Sequence, residues 1–193
     1  MALRYDPTLF VVPEGDRKLL AGLIGDRRPW PFYREMRHAP MFAEEAKERT
    51  GNILLRHTTT FAFARLKLEW DETVEAVEWL EGPRCLTLID YDRPVPSDWQ
   101  REQLEGRLIA GAPRVAALAP LRFASWWASD DETRRHYYVL AQPPAVLLVE
   151  TDAEDRIESF DVLDHQEGGE RLDALWTLHH DAGSARPSAP RDA

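Results

Sequence analysis

Ala145-Val146-Leu147-Leu148-Val149-Glu150-Thr151, the acidic tetrapeptide Asp152-Ala153-Glu154-Asp155, and Arg156-Ile157-Glu158-Ser159-Phe160-Asp161-Val162-Leu163 read together as two strands joined by a tight turn. Upstream, Leu121–Ser129 and Arg134–Gln142 flank a second polar turn, Asp130–Thr133. Pro143-Pro144 separates the two hairpins. Four strands with connections this short form an antiparallel meander. Behind them Leu172, Leu175, Trp176 and His179 fall at i, i+3, i+4 and i+7, the apolar stripe of a closing helix.

Working back from the meander, Pro113 and Pro120 bound a short helical piece. Ser97-Asp98-Trp99-Gln100 is a capping box that opens a helix through Leu104 and Leu108. Cys85–Asp90 reads as a short strand. Asp71 is placed to cap a helix carrying Val74, Val77 and Leu80, closed by Gly82-Pro83. Thr58–Trp70 is open locally: Thr58-Thr59-Thr60-Phe61-Ala62-Phe63 favours a strand, whereas Phe63, Leu66 and Trp70 share a helical face. The first fifty residues hold an apolar run, Leu9–Val12, and a helix over Asp16–Ile24. A further helix starts after Pro29-Trp30-Pro31 near Phe32 and stops at Pro40, and a charged helix follows over Glu44–Arg49. Residues 181–193 carry two prolines and no bulky apolar side chain, the composition of a disordered tail. The expected division is an N-terminal extension with short helices (1–53), a folded domain (54–180) and the tail.

Lys+Arg number 24 and Asp+Glu 34 in 193 residues, a net charge of −10. That balance argues against phosphate-backbone binding, so no nucleic-acid partner is expected. At 44% hydrophobic and 30% charged residues, the chain can fill a core. Cys85, the one cysteine, excludes a disulfide framework and any multi-thiolate metal site. The histidines lack metal-ligand spacing, and no phosphate-binding glycine loop or nucleophile elbow occurs. No metal and no cofactor are expected. Residues 1–6 lack a signal peptide's apolar core, and the longest aliphatic run, Ala145–Val149, is too short for a bilayer. A cytoplasmic protein without a membrane partner is the expectation.

From about Leu54 to His180 the order of these elements resembles the SnoaL-like branch of the nuclear transport factor 2-like superfamily. The resemblance rests on the acidic-aromatic turn Glu69-Trp70-Asp71, the carboxylate motif Leu88-Ile89-Asp90-Tyr91-Asp92-Arg93, and the closing hairpin with its Leu/Trp helix. It implies an α+β fold in which helices pack on a curved antiparallel sheet closed into a cone-shaped pocket, with Thr58–Trp70 as a helix. Relatives carry glycine where Asp155 stands, and Asp tolerates a positive φ better than most residues.

The resemblance implies a cofactor-independent cyclase, isomerase or dehydratase acting on a small hydrophobic molecule, with Asp90 as general base at the strand end. Asp92 lies roughly 7 Å further along the same strand face and would raise the pKa of one of the pair. His57 would stand at the cone mouth as a proton shuttle. The pocket would be lined by Phe63, Tyr138 (Tyr137 on the opposite strand phase), Leu147, Phe160 and Asp164. Only one of Trp126 and Trp127 can face it. Phe63 and Leu147 occupy the positions where steroid isomerases of the superfamily hold their enolate, and neither can donate a hydrogen bond. That departure keeps a non-catalytic ligand-binding or assembly module in play. An acidic inhibitor of a basic protein is a third reading. Relatives pair through the outer face of the meander, so a homodimer is expected, with coverage of that face by residues 1–50 as the alternative.

Overall fold

The computed structural model describes residues 3–27, 41–89 and 98–184. Two antiparallel sheets and several helices give it an α+β fold. The first sheet is the meander: β6 (Ala124–Asp130), β7 (Arg135–Ala141), β8 (Pro144–Thr151) and β9 (Ile157–Asp164), with β1 (Leu3–Tyr5) added beside β6. The second runs β2 (Phe42–Lys47), β3 (Ile53–His57), β4 (Phe63–Leu68) and β5 (Val74–Leu80) in sequence order. Helix α1 (Glu14–Ala21) lies between β1 and β2, and α2 (Asp98–Glu105) and α3 (Arg114–Leu118) precede the meander. The closing helix α4 spans His165–Ser184.

The meander and its closing helix match the sequence expectation. At the turn between β8 and β9, Asp155 has φ 59°, a left-handed conformation that Asp tolerates better than most residues. Asp164 Oδ1 accepts from the backbone N–H groups of Gln166 and Glu167, both at 2.9 Å, and so caps α4. Gly168 and Gly169 then let that helix lie close. A Cβ at Gly168 would sit 2.5 Å from Val146 Cγ2, and one at Gly169 3.0 Å from Leu86 Cβ.

Residues 42–88 correct four expectations. Phe63–Leu68 is strand β4, not part of a helix over Thr58–Trp70. Trp70, which completed the helical stripe, is 93% exposed, and the threonine-rich local preference prevails. Val74–Leu80 is strand β5, not a helix. The Asp71 carboxylate that would have capped it accepts from Thr73 N at 3.1 Å, and Glu72 at φ 66° turns the chain back. Phe42–Lys47 is strand β2, not part of a charged helix over Glu44–Arg49; pairing with β3 overrides the helix preference of Glu, Ala and Lys. Pro83–Leu88 forms a 3-10 helix rather than a strand beginning at Cys85, because Gly82 at φ 90° turns the chain and Pro83 starts a helical turn.

The boundary expected at 53/54 falls between the paired strands β2 and β3, while β1 joins the meander through Leu3↔Asp130. The helix expected over Asp16–Ile24 runs from Glu14 to Ala21, and α4 continues to Ser184 into the span read as tail. The helix start near Phe32, the Ser97 cap and residues 185–193 lie outside the described residues.

The core joins the sheets. Phe63 and Leu54 of the second sheet meet Trp127, Val139 and Val146 of the first, and Leu86 and Leu172 close the same cluster. The opposite face of the meander is covered as well: Leu104 and Leu108 of the α2 segment and Leu118 of α3 pack on Tyr138, Leu140, Leu147 and Val149. Within the five-stranded sheet β7 and β8 are buried on both faces, whereas much of β9 and the start of β6 stay exposed or half-buried. Helices α2 and α3 cover part of the face on which the dimer expectation rested. Among the described residues no helix is long and apolar enough to cross a membrane.

Candidate functional site

Where α3 crosses the meander it leaves a cleft of about 550 Å³, a size suited to a small organic ligand. Val115, Leu118, Leu121 and Trp126 supply an apolar wall. Arg4, Arg114, Arg122, Ser129 and Tyr138 supply the polar groups. The chain is strongly acidic overall, yet among the described residues the charged side chains lining this cleft are all arginines.

The arginines differ in what already holds them. Arg114 Nε and Nη2 reach the two carboxylate oxygens of Asp155 at 2.7 and 3.0 Å, and Nη1 donates to the Tyr138 phenol oxygen at 2.6 Å. Burial by itself would lower the Arg114 pKa, but the bonds to Asp155 and Tyr138 outweigh it and hold the guanidinium above its ordinary value. Arg4 pairs with Asp131 at 2.7 Å on the exposed rim. Arg122 is exposed and makes no ion pair among the described residues. Because Tyr138 accepts from Arg114, its own hydroxyl proton remains for a second partner. Burial, opposed by Arg114, raises the Tyr138 pKa and keeps that proton in place.

Behind the cleft lies a buried polar chain. Ser129 and His136 are register partners across the β6–β7 hairpin, and Ser129 Oγ lies 2.8 Å from His136 Nδ1. Trp126 Nε1 donates to Ser129 Oγ at 3.1 Å, so the serine's own proton goes to Nδ1. Nε2 then carries the imidazole proton and donates to Thr151 Oγ1 at 3.0 Å, with Asp155 Oδ1 3.7 Å away. Burial first, then the Arg114 charge, depresses the His136 pKa to about 4, with Asp155 opposing. The ring is neutral at pH 7.

The expected site residues are scattered. Asp90 and Asp92 lie outside the described residues. His57 is 1% exposed, its Nε2 is 3.0 Å from Asp16 Oδ2, and its Nδ1 accepts from Thr60 N at 3.2 Å. Those bonds tie the β3–β4 turn to α1. Phe63 is buried in the inter-sheet core. Leu147 and Phe160 share the α2–α3 face of the meander, with Leu147 sealed in its core. Asp164 is the cap of α4. Of the expected ligand contacts, Tyr138 alone lines the cleft. Trp126 faces it while Trp127 is fully buried against Phe10, the divergence their adjacency implies. A β-bulge lies between Trp126 and Ala128.

Neither Arg4, Arg114, Arg122, Ser129 nor His136 is singled out by the sequence. One signal was present: a turn at Asp130–Thr133 brings Ser129 and His136 to neighbouring positions on paired strands. A second cavity, about 310 Å³, is lined by Arg65, Trp79, Glu81 and Cys85 among others. There Arg65 is held by Glu48 and Glu78, and Glu81 by Arg17. Among the described residues no group of three or more His, Cys, Asp or Glu side chains is placed to hold a metal. Compared with known proteins, the chain matches no family model, no curated protein and no solved structure.

Proposed function

We propose that this chain is a small-molecule binding protein whose ligand is an amphipathic carboxylate seated in the cleft beside α3. The observation that carries this reading is the placement of Arg122, which has no ion pair among the described residues, and the Tyr138 hydroxyl on the same cavity as Val115, Leu118, Leu121 and Trp126. A carboxylate there gains a charge-assisted hydrogen bond, and its apolar body is removed from water. Asp155 holds Arg114, and Arg114 holds Tyr138, before any ligand arrives. Little ordering entropy is then lost at that end of the cleft on binding. In this reading the cleft takes the place of the cone that the SnoaL-like resemblance implies, and the ligand is the small, largely hydrophobic molecule expected there. Every lining residue named here comes from one copy of the chain.

Isothermal titration calorimetry with 2-naphthoate and with dodecanoate tests this. Binding of at least one is expected, weakened about ten- to a hundredfold in Arg122→Ala, the effect of losing one hydrogen bond to a charged group. Absence of binding to both, or equal affinity in the variant, would overturn it.

A further inference from the structure

Ser129 and His136 are more than cleft structure in one respect: their hydrogen bonds leave a base aimed at a hydroxyl. We propose that Ser129 is an acyl-accepting nucleophile and that the cleft turns over small carboxylic esters whose acyl chain ends in an anion. This inference rests on the cleft being the ligand site. Four features of the geometry support it. Ser129 lines the cleft, and its Oγ is 2.8 Å from His136 Nδ1. The tautomer is fixed with Nδ1 bare, because Nε2 donates to Thr151 Oγ1, whose own hydroxyl donates to the Arg134 carbonyl at 3.4 Å. Asp155 Oδ1, 3.7 Å from Nε2, faces the positive charge that the imidazole gains during reaction and offsets part of the opposing charge of Arg114, which holds both Asp155 oxygens. Trp126 Nε1–H, already 3.1 Å from Oγ, is a donor beside the atom that will carry the acyl group.

The step balances without a cofactor. Ser129 Oγ attacks the ester carbonyl carbon while its proton passes to His136 Nδ1. The tetrahedral oxyanion takes a hydrogen bond from the Trp126 indole. Collapse breaks the bond to the leaving alkoxide, which receives the proton from Nδ1 and departs as an alcohol. Water then attacks the acyl-serine, again losing its proton to His136, and the acid is released with Ser129 restored. Arg122 would hold the distal anion, and the aliphatic wall the leaving group. The nitrogen roles are exchanged relative to the usual triad, in which Nε2 faces the serine. The chemistry needs only one bare nitrogen at the hydroxyl and one protonated nitrogen held by acceptors.

The experiment is covalent capture on the full chain. It is incubated with 4-nitrophenyl hydrogen succinate and, separately, with an alkyl fluorophosphonate. Intact mass and peptide mapping locate any adduct. A single adduct on Ser129 is expected, formed more slowly when 2-naphthoate is present. Ser129→Ala should abolish it, and His136→Gln should slow it at least tenfold, both variants being checked for an unchanged circular-dichroism spectrum. Mapping on the unaltered chain decides the matter even if a variant fails to fold. No adduct, or adducts only elsewhere, overturns the nucleophile, and calorimetric binding of 2-naphthoate in that case leaves the binding reading standing. An adduct on Ser129 that 2-naphthoate does not slow supports the nucleophile and counts against the carboxylate reading.

Discussion

His57 Nε2 lies 3.0 Å from Asp16 Oδ2, and this hydrogen bond joins a buried strand end to the helix packed beside it. The other ring nitrogen accepts from Thr60 N, and the ring stands edge-on to Phe42 with centroids 5.2 Å apart. One imidazole thus organises the β3–β4 turn, the start of β2 and α1 together.

Removing either partner strands the other in a poorly solvated place. Asp16→Ala is expected to cost about 2 kcal/mol and His57→Ala about 3 kcal/mol in urea unfolding. The double variant should cost less than the sum, by about 1 kcal/mol or more. Losses below about 0.5 kcal/mol in both single variants would make His57 a bystander.

The meander is legible in the sequence because residues 121–164 divide into apolar runs separated by two acidic turns and by Pro143-Pro144. Residues 42–88 are not, since Phe63, Leu66 and Trp70 fit a helical period as well as Phe63–Leu68 fits a strand. Cross-strand pairing decides between them, as in Leu66↔Val77 and Leu55↔Ala64, and that information is non-local. The site is legible only at Tyr138 and at the divergence of Trp126 from Trp127. Arg114 reaches it through Asp155, 41 positions away. The local sequence marks Asp155 as a left-handed turn residue and says nothing of its guanidinium partner.

Gly168 and Gly15 offer a contrast of one substitution at two helical sites. Gly168→Ala drives a methyl group to 2.5 Å from Val146 Cγ2 and is expected to destabilise by about 1–3 kcal/mol. At Gly15 in α1 an added Cβ meets nothing within 4 Å, so Gly15→Ala should be neutral or stabilising by up to about 1 kcal/mol. Thermal melts of the two variants check this; equal melting temperatures would contradict the close packing of α4 on β8.

His136 makes stability depend on pH in a defined direction. Its folded pKa, about 4, lies below the value of 6.5 for a solvated histidine, so the unfolded chain takes up the proton first as pH falls. The contribution is full above pH 6.5 and is lost progressively toward pH 4, on the order of 3 kcal/mol across the whole window. Arg114 and Arg4 oppose protonation, while Asp155 and Asp131 favour it. Between pH 6.5 and 5, His136→Gln should flatten the stability profile, and an unchanged slope would show that other groups set it.

Cys85 should be inert in the native state. It is 2% exposed, its Sγ donates to the Leu80 carbonyl at 3.0 Å, and burial pushes the thiol up to about 12. At pH 8 a disulfide reagent such as 5,5′-dithiobis(2-nitrobenzoate) should react with it only on the time scale of unfolding, and within seconds in denaturant. Rapid stoichiometric reaction of the native protein would place the thiol at an open surface.

The most direct test of ligand binding beside α3 is a heteronuclear NMR titration of methyl- and indole-labelled protein with 2-naphthoate. Shifts concentrated at the Val115, Leu118 and Leu121 methyls and the Trp126 indole, and attenuated in Arg122→Ala, are the expected result. Shifts centred instead on Trp79, Leu80 and Leu88 around the second cavity, or no saturable shifts at all, would contradict it.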